Sequence, residues 1–188
     1  MSLNQPHQSK IAMKKAFLIL GELNNDDLDW MIKEGKKREL RPDETLIYEG
    51  QQINAFYIVL NGMLSVSIES LNKELARLSS GEVVGEISFI DTRLPLATVK
   101  AIDESDVLEI PRLRLTYKLQ RDMGFAARFY RGISRCLSDR VRGTVLRLGY
   151  GLDVEDPQTE EMEAYPDADR DLALVQAKFN WLMQGFSR

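Results

Sequence analysis

Asn61-Gly62 stands between two apolar runs, residues 56–60 and 63–68. Asn-Gly is the pair that a two-residue hairpin turn favours, because both central residues must take positive φ. Beyond it Leu64, Val66 and Ile68 alternate with Ser65 and Ser67, the two-residue period of a strand with one buried face. The middle of the chain is thereby committed to antiparallel sheet. Short strand-like runs continue on both sides, separated by turn residues. Residues 37–40 precede Arg41-Pro42-Asp43, and residues 45–48 precede Gly50. After the hairpin come residues 75–78 before Ser79-Ser80-Gly81, then Val83-Val84, residues 96–101, and residues 106–110 closed by Pro111. Eight short strands with a helical insert between the sixth and seventh predict a mostly β fold with flanking helices. Its architecture is a double-stranded β-helix, or jelly-roll β-roll.

The flanks read as helical. Residues 11–20 predict a short helix stopped by Gly21, and Asn25 reads as an N-cap followed by Asp26 and Asp27 in the first turn. Leu28, Met31 and Ile32 share one face of this second helix. After the strands, residues 112–122 predict a short helix and residues 123–148 a long one. On the long helix Tyr130, Ile133, Leu137, Val141, Val145 and Leu148 recur at three- and four-residue steps. Phe125, Phe129 and Cys136 fall off that line, which gives the first half two apolar faces. One can cover the sheet and the other can meet a second copy of the chain; a stripe alone does not distinguish the two. Arg128, Arg131, Arg135 and Arg142 occupy another side.

The chain divides into a polar leader (1–10), a main domain (11–150), an acidic linker (151–168) marked by Pro157 and Pro166, and a C-terminal helical segment (169–188). Leu172, Val175, Phe179 and Leu182 lie on one face of the helix expected at 169–183, an apolar surface that must dock on its own domain or on a partner. Opposite charge is expected to draw the acidic linker towards the arginine stripe, while the apolar face supplies most of the energy.

Composition narrows the function. The chain has 188 residues, a net charge of −4, 44% hydrophobic and 29% charged residues, so no global basic field points to nucleic acid. Its one cysteine, Cys136, forbids an internal disulfide, and its one histidine, His7, lies in the leader, away from any catalytic cluster. No metal-ligand or nucleophile–base constellation is visible, and no apolar run reaches membrane-spanning length. A non-enzymatic protein with no catalytic or metal residues, located in the cytoplasm, is expected.

Residues 85–101 carry the chemistry. Gly85 and Glu86 open a single helical turn, a loop with Arg93 and Pro95 follows, and a strand resumes. The first N–H groups of such a turn can face an anion, Gly85 lets the backbone approach, Ser88 adds a hydroxyl, and Glu86 can accept a hydrogen bond from a sugar hydroxyl. The order resembles the phosphate-binding cassette of the cyclic nucleotide-binding domain family, with Gly85, Glu86, Ser88, Ala97 and Val99 in register. Tyr48-Glu49-Gly50 and residues 56–62 resemble the same family. The resemblance implies a catabolite activator-like β-roll with N-terminal helices, a long C-helix that often forms a dimer contact, and a ligand site made by Gly85, Glu86, Ile87, Ser88, Arg93, Ala97 and Thr98. It implies cyclic AMP or cyclic GMP as the ligand, or another phosphorylated small molecule, and no cofactor. Pro95 stands where the family has its phosphate-binding arginine. Either Arg93 reaches back to the phosphate, or that charge-assisted contact is absent. At the level where the family's DNA-binding branch carries base-contacting hydroxyls, this chain has Arg140 and Val141. A helix-turn-helix needs two helices and a tight turn, and one helix is recognisable after the long one, so DNA binding is not expected. The expected partners are a second copy and an unidentified protein. A roll that has lost its ligand and serves as an interaction or assembly subunit is the alternative.

Overall fold

The computed structural model describes residues 15–91, 93–147 and 168–186. The leader, most of the acidic linker and Leu148 lie outside these residues. Two helices, α1 (Lys15–Glu22) and α2 (Asn25–Glu34), precede eight strands: β1 (Lys36–Leu40), β2 (Thr45–Ile47), β3 (Ala55–Asn61), β4 (Met63–Ile68), β5 (Lys73–Ser79), β6 (Val83–Val84), β7 (Thr98–Ala101) and β8 (Ser105–Pro111). A 3-10 turn, Glu86–Phe89, separates β6 from β7. Three helices follow: α3 (Arg112–Arg121), α4 (Met123–Arg147) and α5 (Ala168–Gly185).

The strands form two four-stranded sheets, ordered β1-β8-β3-β6 and β2-β7-β4-β5, with antiparallel neighbours throughout. Strand β3 is buried on both faces, as its unbroken apolar run requires. Tyr57 and Val59, with Leu40 and Val107, face Leu64 and Val99 of the second sheet. Phe56 and Ile58, with Leu108 and Ile110, face the helices. The hairpin expected at Asn61-Gly62 does not form: β3 pairs with β6 and β8 and β4 with β5 and β7, so this turn carries the chain from one sheet to the other, with Gly62 alone at positive φ (+83°). Gly62 admits only glycine, because a Cβ would lie 2.6 Å from the Ser105 Cα.

Two further details differ from the sequence reading. The cap of α2 is Asn24, one residue earlier than expected. Its side chain accepts from Asp27 N–H at 2.9 Å while the Asp27 carboxylate accepts from Asn24 N–H at 2.9 Å, a reciprocal capping box that Asn25 cannot form. Gly21 does not stop α1, which runs to Glu22. The sequence left open which apolar face of α4 covers the sheet: it is Phe125, Phe129, Ile133 and Cys136, whereas Tyr130, Val141 and Val145 are exposed. The phenylalanines prevail because Phe129 meets Phe56, Phe89 and Phe125 at ring-centroid distances of 5.7–6.2 Å.

Helix α1 is buried along Ala16–Leu20, an apolar run with no wet face. It lies between α4 and α5. On the α4 side Gly132 permits close approach, since a Cβ there would sit 2.8 Å from the Ile19 Cα. On the α5 side Val175, Phe179 and Leu182 are buried, and the Phe179 ring meets Phe17 at 5.7 Å. The Lys178 ammonium donates to the Leu20 and Leu23 carbonyls at 3.1 and 2.7 Å, a cation at the negative end of α1. The expected docking face of α5 is therefore used, on α1 and α2 of the same chain. The arginine stripe of α4 is likewise engaged nearby: Arg128 is bidentate to Asp27, and Arg131 and Arg135 both reach Glu22.

Candidate functional site

Strand β6 runs beside β3, with Tyr57 opposite Val84, and the chain then turns sharply at Gly85. Gly85 is left-handed (φ +85°), and a Cβ would meet the Ala55 carbonyl at 2.7 Å, so glycine alone allows the turn to lie against β3. Within the turn the Ser88 hydroxyl donates to the Gly85 carbonyl at 2.6 Å, and the Ile90 and Asp91 amides close on the Ile87 carbonyl. The turn is held from the helical side. Arg112, the first residue of α3, donates to the Ser88 carbonyl at 2.6 Å and lies 5.0 Å over the Phe89 ring. Phe89 in turn packs on Phe129 of α4.

Glu86 is 1% exposed. Its Oε1 lies 2.6 Å from Arg140 Nη1, a close ionic approach without hydrogen-bond alignment, so this buried oxygen has an opposite charge beside it but accepts no hydrogen bond. Arg140 Nη2 donates to the Val83 carbonyl at 2.8 Å. Burial pushes the Glu86 carboxyl above the usual glutamate range, and the Arg140 guanidinium opposes that shift without cancelling it. The carboxylate that would meet a sugar hydroxyl is thus joined to the long helix.

The rest of the loop is tied to its surroundings. Arg93 is 88% exposed on its side chain and donates through Nε to Asp91 at 2.6 Å; that bond holds the Asp91 carboxyl below its usual range. Pro95, at the expected arginine position, accepts Gly50 N–H on its carbonyl at 2.9 Å, and Thr98 Oγ1 accepts Glu49 N–H at 3.1 Å. Ala97 is half-buried and Ile87 exposed.

Of the residues singled out from sequence, Gly85, Glu86, Ile87 and Ser88 share one turn, Thr98 and Ala97 lie on the strand side, and Arg93 points to Asp91 and solvent. Arg140 and Arg112 were not singled out. Arg112 offers no signal in the sequence. Arg140 does: it continues the buried line of Phe125, Phe129, Ile133 and Cys136, and an arginine on an apolar helix face needs an acidic partner.

The sequence pattern of the family described as "Cyclic nucleotide-binding domain" matches residues 37–122. Lysophospholipase NTE1 of Saccharomyces cerevisiae is 32% identical over 87 residues, which are 39% of this chain and 5% of that protein. Among solved structures, a cyclic nucleotide-binding domain from Methylobacillus flagellatus superposes with a TM-score of 0.63 at 18% identity, covering 73% of this chain and 83% of that one. The Thermus thermophilus catabolite activator protein gives 0.58 at 21% identity, covering 70% and 62%. The chain therefore spans only a small part of the yeast enzyme and somewhat under two thirds of the activator. The two-sheet roll, the turn at Gly85 and the matched sequence pattern agree: residues 37–122 match the cyclic nucleotide-binding domain family, and the chain has the fold of its solved members.

Proposed function

We propose that the chain is a non-enzymatic regulatory module that takes a phosphorylated small molecule, cyclic AMP or cyclic GMP first among them, at the 85–88 turn and passes the event to α4. The observation that carries this reading is the Glu86–Arg140 ion pair. It ties the carboxylate expected to meet a ribose hydroxyl to a helix that ends beyond the roll. A sugar hydroxyl donating to Glu86 competes with Arg140, and differential contact of this kind shifts a helix between two positions. Gly85, Glu86, Ile87 and Ser88 form the phosphate side of the proposed site, with Ala97 and Thr98 at the strand edge and Arg93 as the loop cation. The exposed Val141 and Val145 suit pairing of α4 with a second copy. A reducing compartment such as the cytoplasm suits the buried thiol of Cys136. No helix among the described residues is long and apolar enough to cross a membrane. DNA binding is outside the proposal, since α5 spends its apolar face on α1 and α2.

Calorimetry with cyclic AMP and cyclic GMP tests the reading on the wild type, Glu86→Ala and Arg93→Ala. Binding weakened by about 1–3 kcal/mol in Glu86→Ala is expected, the scale of a lost hydrogen bond to a charged group. Absence of heat and of any thermal shift with either nucleotide overturns it. A second reading is favoured by the Pro95 loop, where Arg93 is spent on Asp91 and the Pro95 carbonyl on Gly50. Under it the roll binds no nucleotide and serves as an assembly subunit, and the null titration is its expected result.

A further inference from the structure

The joint between α4, α1 and the turn at Gly85 holds charges that do not balance. Ala16 N–H of α1 donates to the Gly81 carbonyl at 2.8 Å, and Arg140 of α4 donates to the Val83 carbonyl at 2.8 Å. Glu82 stands between those two anchored residues. Next to Ala16, Lys15 pairs with Asp139 of α4, and next to Asp139, Arg140 faces Glu86. The charged groups of the joint are thus Lys15 from α1, Asp139 and Arg140 from α4, and Glu82 and Glu86 from the strand and turn. The buried Cys136 thiol is alongside them, held neutral because burial raises it to about 11. Three carboxylates face two cations. Glu86 Oε1, buried and accepting no hydrogen bond, is the atom where the imbalance shows.

We propose that this joint is a proton-binding site, and that a proton carried by Glu82 or Glu86 holds α4 against the roll. A proton on either carboxyl leaves two carboxylates facing two cations and removes the excess buried charge. Both carboxyls are raised from the ordinary 4.5, Glu86 and Glu82 alike chiefly by burial. Lys15 and Arg140 oppose the shift at Glu82 and Asp139 adds to it, while Glu82 adds to the shift at Glu86. If α4 lifts, both groups meet water and return towards 4.5. The docked arrangement therefore binds the proton more tightly, and linkage fixes the direction. Docking strengthens as pH falls towards 4.5 and weakens as pH rises past the raised midpoints. This inference needs no nucleotide and stands whether or not one binds.

The test is a carbon-13 NMR titration of the glutamate side-chain carboxyls in the full chain, assigned with Glu82→Gln and Glu86→Gln. Hydrogen-exchange protection factors of the amides of residues 141–145 are followed at each pH. At least one of the two carboxyls is expected to titrate above 4.5, and Glu82→Gln is expected to lower the Glu86 midpoint. Protection of 141–145 should rise on acidification in the wild type and rise less in Glu82→Gln. Should Glu86→Gln fail to fold, Asp139→Asn supplies the second variant, expected to lower the Glu82 midpoint. Two carboxyls titrating at or below 4.5, midpoints that ignore each other's substitution, or protection that stays flat or falls with acid overturn the proposal.

Discussion

Truncating Phe179 to alanine tests how α5 is held. Its ring is buried against Phe17 on a helix whose other buried apolar side chains, among the described residues, are Val175 and Leu182. Burying each of these three contributes about 1.5–3 kcal/mol, roughly 5–9 kcal/mol for the face. Phe→Ala removes about 3–5 kcal/mol at a packed site, about half of what the face supplies. The Lys178 bonds to Leu20 and Leu23 also depend on α5 staying in register. Phe179→Ala should therefore release α5 while β3 and β8 stay folded. The assay is hydrogen exchange by residue: amides 172–183 are protected in the wild type and exchange near the unfolded rate in the variant, with strand amides unchanged. Added salt should have little effect on the wild-type protection, because the contact is mainly apolar. Refutation would come from fast exchange of α5 in the wild type, or from wild-type protection that survives Phe179→Ala.

Gly132→Ala should destabilise by about 1–3 kcal/mol despite alanine's better helix propensity, because its Cβ would press on the Ile19 backbone; urea denaturation reads the loss. Arg128→Ala leaves the buried Asp27 carboxylate with the capping bond it accepts from Asn24 N–H but no cation. A loss of about 1–3 kcal/mol is expected, less than for a fully buried pair because Arg128 is 32% exposed on its side chain. Cys136, fully buried and with its thiol pushed up to about 11, should resist a thiol reagent at mildly alkaline pH until the chain is unfolded in denaturant.

The roll was legible because strand chemistry is local. Alternation along Leu64, Val66 and Ile68 and the glycine at 85 each carry their structural meaning within a few residues. Asn61-Gly62 marked a turn but not its kind: a hairpin also needs the two strands to choose each other, and β3 pairs with β6 and β8 instead. The helical layer was less so. Tyr130, Val141 and Val145 recur with the period of a core face, yet the core took Phe125, Phe129 and Cys136, because the rings of Phe56 and Phe89 wait on the sheet side. Which of two apolar stripes is buried depends on what faces it, and that is a distant part of the chain. The site divides in the same way. Gly85, Glu86 and Ser88 fall in one turn by sequence proximity. The partnership of Glu86 with Arg140 spans more than fifty residues, and the pairing of Arg128 with Asp27 about a hundred. The acidic segment expected near the arginine stripe lies mostly outside the described residues; among the described ones Asp27 pairs with Arg128, and Glu22 with Arg131 and Arg135.

Helix α1 is completed by a segment made long after it: the bond from Lys178 to the Leu20 carbonyl spans 158 residues. The strands and α4 can cover one side of it, but Phe17 and the Leu20 and Leu23 carbonyls are closed only by Phe179 and Lys178. On a ribosome adding about 5–20 residues per second, that second side waits roughly ten to thirty seconds after α1 has emerged. Through that interval the nascent chain presents an apolar groove of helical shape, a natural substrate for chaperones. A transcript truncated after α4 would leave the groove open for the life of the protein.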